Sequence, residues 1–329
     1  MIENKKTSIL LVLKILEEYS DKDHYLTQQE IIDKIYERYG ISLERKSIAN
    51  SLSLLQDLDY DIDKGEKGGF ALISRLFDFS EVTFLVDALF SSKSISGKRA
   101  KALANSISST LSKYQRKRYT YLNKSTDVNR TINEEVFWNI EIIDEAIAKN
   151  KWVEFQYMDY DQNGEECLRF NGYLYHASPC YLVNNFGKYY FLGKRSNYDT
   201  ISVYRVDYMK NIKVFDSRER IDPMTIVDFK NYNSITEYIN DHIYMFGGEV
   251  ISAILELKNP HAIQYVKDWF GNNISIYTKD GKLMARVKCN KRAFFYWAMQ
   301  YSEHIHVVSP EDVVQEIKAA GEKIVEEYK

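Results

Sequence analysis

The chain has 329 residues, 45% of them hydrophobic and 28% charged, with a formal net charge of −3. That length exceeds one simple core and predicts two or three domains, while the near-neutral balance excludes a protein that coats nucleic acid by bulk charge alone. Three widely spaced cysteines, Cys167, Cys180 and Cys289, have no CxxC spacing, which argues against a disulfide framework or a zinc site and fits a reducing compartment.

The first elements read as helices. TSILLVLKILEEY (7–19) carries apolar residues at helical spacing. No apolar run approaches the roughly 20 residues of a membrane span, and this stretch is too short for a signal peptide. The expectation is a soluble cytoplasmic protein. A second helix opens at Thr27, with Glu30 completing a capping box and Gly40 ending it. The third, ERKSIANSLSLLQDL, has Ile48, Leu52 and Leu55 as its core stripe and leaves Lys46, Ser47, Asn50 and Ser51 on the outer face. YDIDKGEKGGFALI then reads as a β-hairpin around a Gly/Lys turn.

Three short helices closed by a hairpin form the pattern of a winged helix-turn-helix. The third helix would enter a major groove, with Asn50 on adenine edges and Arg45 or Lys46 on guanine or phosphate. Lys64 and Lys67 on the wing would reach phosphates. Residues 1–75 nevertheless contain 11 Lys/Arg against 14 Asp/Glu, so any DNA surface is a local patch, and a protein-contact module stays open.

Residues 78–150 read as helices, with Ser80 as the first cap. From Lys93 to Arg130 there are ten Lys/Arg and one acid, Asp127. That run is either a solvated face or a phosphate-contacting flank. After Lys151 the period becomes alternating: WVEFQYMDY, a turn at Asn163-Gly164, CLRFNGYLYHASPCYLV, NFGKYYFLGKR and TISVYRVDYMKNIKVFD. Some five short strands in about 70 residues suit a small barrel or curled sheet. A stretch with one helix (218–248) leads to a compact α+β module over 249–329, its final helix opening at Pro310.

Three stretches together resemble the WYL-domain transcriptional regulators. ERKSIANSLSLLQDLDYDIDKGEKGGFAL is similar to their recognition helix and wing. SPCYLVNNFGKYYFLGKRSNYDTISVYRVDYMKNI resembles the WYL core, and DGKLMARVKC with YWAMQYSEHIHVVSPEDVVQEI the C-terminal extension. The signature Trp-Tyr-Leu is Tyr189-Tyr190-Phe191 here. Arg205 and Asp207 match the family's Arg and Asp, whereas Ser202 and Tyr208 stand where arginines often do.

The resemblance implies a multidomain α+β protein. Its parts would be a winged helix-turn-helix (1–75), a helical linker or dimerisation region (76–150), an Sm-like WYL sensor barrel (151–217), a linker (218–248) and an extension domain (249–329). It also implies a sensor in which a nucleotide or single-stranded nucleic acid alters DNA binding. Arg205, Lys188, Lys194 and Arg195 with Tyr181, Tyr190 and Tyr204 supply what phosphate binding plus base stacking use. For the tyrosines the alternative is barrel core, and for Arg205 it is an internal pair with Asp207.

Catalytic chemistry is not evident. KGEKGG lacks the strand-loop-helix context of a phosphate loop. His304 and His306 lack further ligands for a metal, and Cys180 has only His176 as a candidate base. The expectation is a regulator without metal, cofactor or catalysis that binds duplex DNA as a homodimer. An accessory protein acting on RNA, single strands or a partner protein, its helix-turn-helix vestigial, is the alternative.

Overall fold

The computed structural model describes residues 7–66, 68–117, 131, 133–271 and 274–329. Lys67 and most of the later half of the basic run, 118–130, lie outside them. The chain divides into two compact units, Met1–Glu134 and Glu135–Lys329. Within both, mixed α and β elements are joined by short connections, as the α+β expectation required.

The first unit opens with α1 (Ser8–Tyr19), α2 (Gln28–Tyr39) and α3 (Arg45–Asp57). Each buries one stripe in a common core: Leu11, Val12, Ile15 and Leu16, then Ile31 and Ile35, then Ile48, Leu52 and Leu55. Burying such side chains contributes roughly 1.5–3 kcal/mol apiece before conformational entropy is subtracted. The capping box of α2 forms: the Glu30 N–H donates to Thr27 Oγ1 at 3.2 Å and the Thr27 N–H to Glu30 Oε2 at 2.7 Å. Gly40 ends the helix at φ +67, a left-handed conformation that glycine adopts without a Cβ penalty. Strands β1 (Ile62–Lys64) and β2 (Phe70–Leu72) make the hairpin, and Leu26 exchanges backbone hydrogen bonds with Phe70 at its side.

Helices α4 (Phe79–Ser91), α5 (Gly97–Ser108) and α6 (Lys113–Lys117) follow. The cap of α4 is Asp78, not Ser80: Asp78 Oδ1 accepts from the Glu81 N–H at 2.8 Å, and Ser80 lies inside the helix with its hydroxyl on Asp78. A carboxylate accepts more strongly at a helix N-terminus, which decides between the two. Arg75 ties α1 to the α5–α6 connection, donating to the carbonyls of Glu17 at 2.7 Å and Thr110 at 3.2 Å.

The second unit starts with α7 (Val136–Ala148), which packs on a six-stranded curled antiparallel sheet. The strands are β3 (Lys151–Tyr160), β4 (Glu166–Leu168), β5 (Tyr175–Asn185), β6 (Lys188–Arg195), β7 (Ile201–Arg205) and β8 (Met209–Glu219). Their order is β4-β3-β5-β6-β7, with β8 also paired to β3. One face buries Phe155, Tyr175, Phe191, Tyr204 and Met209 against Val136, Ile143 and Ala146 of α7. Asn139 pins the helix there, donating to the carbonyls of Val206 and Met209. The other face, with Cys180, Leu192 and Ile201, is covered by Ile226, Phe229, Tyr238 and Met245 from the 218–248 segment and its helix α8 (Ile235–Asp241).

The remainder is a four-stranded antiparallel sheet in the order β10-β11-β9-β12. It contains β9 (Val250–Leu257), β10 (Ser275–Lys279), β11 (Lys282–Asn290) and β12 (Ile305–Ser309). Helices α9 (Ala262–Phe270) and α10 (Lys291–Gln300) bury Val266, Phe270, Phe294 and Trp297 in its core. Helix α11 (Glu311–Glu327) begins directly after Pro310.

Candidate functional site

On α3 the helical period separates the candidate contact residues. Arg45, Lys46 and Asn50 are exposed, with Arg45 3.3 Å from Gln29 Oε1, and Ser47 is half-buried. Ser51 departs from the expected outer face. It is buried, its hydroxyl donating to the Ser47 carbonyl at 2.8 Å and lying 3.1 Å from Ser8 Oγ. Positions 48, 51, 52 and 55 share one stripe, so the close approach of α1 takes Ser51 into the interface. Lys64 is exposed at the end of β1. Asp63 beside it accepts from the Tyr25 hydroxyl at 2.7 Å, so cation and carboxylate alternate along the strand.

In the second unit the candidate ligand residues fall on two faces of one sheet. Tyr190 pairs with Arg205 across β6 and β7, and Phe191 with Tyr204, so alternation sends Arg205 and Tyr190 one way and Tyr204 and Arg195 the other.

Arg205 ends β7, and Val206–Tyr208 form a 3-10 turn before β8, where an uninterrupted strand was expected. The turn swings the buried Asp207 carboxylate under the guanidinium, which donates to it from Nε at 3.0 Å and Nη2 at 2.5 Å. Nη1 reaches the Tyr208 hydroxyl at 3.3 Å, and the guanidinium lies 4.1 Å from the Tyr208 ring centre. The Arg205 side chain is 28% exposed and that of Asp207 2%. Burial works against the Arg205 charge, yet the carboxylate outweighs it and holds the pKa above its ordinary value. Tyr190 beside it is raised by burial.

Arg195 lies at the far end of β6 among tyrosine rings, its guanidinium 5.9 Å from Tyr173, 5.2 Å from Tyr175 and 5.0 Å from Tyr198. Lys194 donates to the Tyr198 carbonyl at 2.9 Å and holds its hairpin. Tyr181 packs edge-on against Phe229 at 5.1 Å, within the apolar face. Lys188 is half-buried where the β5–β6 turn enters β6. These side chains therefore do not converge on one pocket.

Tyr157, which no sequence pattern marks, and Tyr208, noted only as replacing an arginine, complete the surroundings of Arg205. The Tyr157 hydroxyl accepts from the Arg205 N–H at 3.0 Å, and burial raises its pKa strongly. Tyr173, Tyr175 and Tyr198 around Arg195 were also passed over. The only linear signal for them is the tyrosine content, 26 residues.

Elsewhere on this sheet, His176 Nε2 is 2.7 Å from Glu154 Oε2. Burial pushes the Cys180 thiol up to about 12, which leaves it almost wholly protonated near neutrality.

Three comparisons with known proteins bear on this architecture. No curated protein matches the chain. The solved structure of proteasome accessory factor B/C (PafBC) of Arthrobacter aurescens is 16% identical, with a TM-score of 0.30 over 95% of this chain and 47% of that one. The chain thus spans about half the length of PafBC. A CRISPR Cas-related protein is 13% identical, with a TM-score of 0.41 over 98% of this chain and 84% of that one. The WYL-domain family model matches residues 139–214, which run from α7 into β8. The segment bearing Arg195, Arg205 and their tyrosines is a WYL domain.

Proposed function

We propose that the protein is a DNA-binding transcriptional regulator whose WYL domain senses a nucleotide or nucleic-acid ligand and modulates operator binding. The observation that carries this reading is the division of α3. Ile48, Leu52 and Leu55 are sunk in the three-helix core, while Lys46 and Asn50 stand exposed with Lys64 on the following hairpin. The geometry fits a winged helix-turn-helix that presents α3 to a major groove. In this reading residues 1–75 form the DNA module, 76–150 a linker or dimerisation region, 151–217 an Sm-like sensor barrel and 249–329 an extension domain joined by 218–248. Two copies would read half-sites roughly one helical turn apart. The protein would act in the cytoplasm, without metal, cofactor or catalysis. Ligand would work through its different affinities for DNA-competent and incompetent states.

A second reading rests on the 14 Asp/Glu against 11 Lys/Arg over residues 1–75. Such a balance suits an accessory protein that binds RNA, single strands or a protein partner, with a vestigial helix-turn-helix.

Gel-shift titration of the full chain against its own upstream DNA, at two salt concentrations, separates the two. Specific, salt-sensitive duplex binding that weakens in Lys46→Ala and Asn50→Ala supports the regulator. Binding confined to single strands supports the accessory protein.

A further inference from the structure

Arg195 and Arg205 differ in what answers their charge. Arg205 commits its fork to Asp207 and Tyr208. Arg195, equally half-buried, forms no ion pair among the described residues, and its neighbours are tyrosines. Aromatic faces offset part of the cost of holding a guanidinium there, but they leave its donors short of an anionic acceptor.

The tyrosines add further donors. Tyr204 shares this buried face, its ring centre 5.8 Å from that of Tyr175. Tyr175 is buried, and its hydroxyl has no hydrogen-bond partner, one of few such atoms among the described residues. A buried hydroxyl without a partner is costly unless something supplies the acceptor. Beside these donors two rings remain open, Tyr173 at 48% exposure and Tyr198 at 51%. The backbone entering Tyr173 is strained: Phe170 and Asn171 stand at φ +50 and +54, and Gln156 Nε2 holds the Gly172 carbonyl at 2.7 Å. Strain of this kind in non-glycine residues recurs at ligand-binding sites.

We propose that Arg195, Tyr175 and Tyr204 bind the phosphate of a nucleotide, and that Tyr173 and Tyr198 stack its base. The proposal rests on the sensor reading and moves the anion site from Arg205 to the opposite face and far end of β6. An arginine fork with neighbouring tyrosine hydroxyls matches phosphate oxygens, and open tyrosine rings accept any base. No bond is made or broken.

The test is calorimetric titration of the full chain with adenosine monophosphate, inorganic phosphate and adenosine. The monophosphate should bind more tightly than either fragment. Arg195→Gln should weaken it about tenfold or more, the loss expected of a charge-assisted hydrogen bond. Tyr175→Phe, which removes one oxygen from a ring that keeps its packing, should weaken it several-fold, with circular dichroism confirming the fold of both variants. Unchanged affinity in both folded variants overturns the site, as does a wild-type chain that binds no monophosphate at millimolar concentration. Arg195-dependent binding without any effect on DNA affinity upholds the site and removes the sensor reading. A DNA response to the monophosphate that persists in Arg195→Gln does the reverse.

Discussion

Asp207 accepts from both Nε and Nη2 of Arg205 across a single 3-10 turn, at 3.0 and 2.5 Å. The pair satisfies itself, so the arginine that matches the family pattern is held as part of the sheet end. Removing the cation would strip a buried carboxylate of the guanidinium that donates to both its oxygens. Arg205→Ala should therefore destabilise the second unit by about 3 kcal/mol, read as a lower urea midpoint. Unchanged stability with loss of a ligand response would make Arg205 a binding residue instead.

The buried Asp21 carboxylate predicts a pH dependence in the first unit. Burial works to raise its pKa, but the hydroxyl of Ser112, the His24 ring and the Asp23 N–H together hold it below the usual carboxylate range. A carboxylate depressed on folding stabilises the fold above its unfolded pKa, and that contribution is lost as pH falls through the folded value. Thermal unfolding followed downward from pH 5 should show a steep loss of stability below about pH 4. Asp21→Asn should flatten that part of the curve; an equally steep variant would assign the loss to other groups.

Ser51 and Asn50 are neighbours in sequence with opposite fates. Ser51→Ala removes a buried hydroxyl between Ser8 and the Ser47 carbonyl, and should cost about 1 kcal/mol of stability while leaving sequence preference on DNA intact. Asn50→Ala, on the exposed face, should leave stability within about 0.5 kcal/mol and relax base preference. A competition gel shift paired with a melting curve reads both. Exchange of the two outcomes would invert the face assigned to α3.

Gly193 is required by packing. A Cβ there would lie 2.7 Å from the Phe191 ring and 3.1 Å from Ala177 Cβ. Neither can yield freely, since both belong to the core that α7 covers. Gly193→Ala should destabilise by about 1–3 kcal/mol, measured by chemical unfolding. An unchanged midpoint would mean the Phe191 ring can turn aside without cost.

Local features were the most legible. The capping box at Thr27 and Glu30, the stripe of Ile48, Leu52 and Leu55, and the change of period after Lys151 follow from covalent spacing, which is visible in one dimension. Ser80 and Ser51 depart from the expectation because two neighbours compete for one role, and the winner depends on acceptor strength or on the approach of another helix. At the sheet, alternation correctly separates Tyr190 from Phe191, but it does not reveal the 3-10 turn that carries Asp207 back under Arg205.

By itself, then, the order of residues determined which segments become helices and strands, because helical and alternating periods are set by the backbone. It also carried the ordered pattern of a WYL domain, matched over residues 139–214. Only the tertiary structure decided which of two arginines has a carboxylate partner. Arg195 and Arg205 are both arginines among tyrosines in sequence, and the difference is whether a carboxylate folds to within hydrogen-bonding distance. Ion pairing falls away over a few ångströms, and such distances between residues are set by the fold.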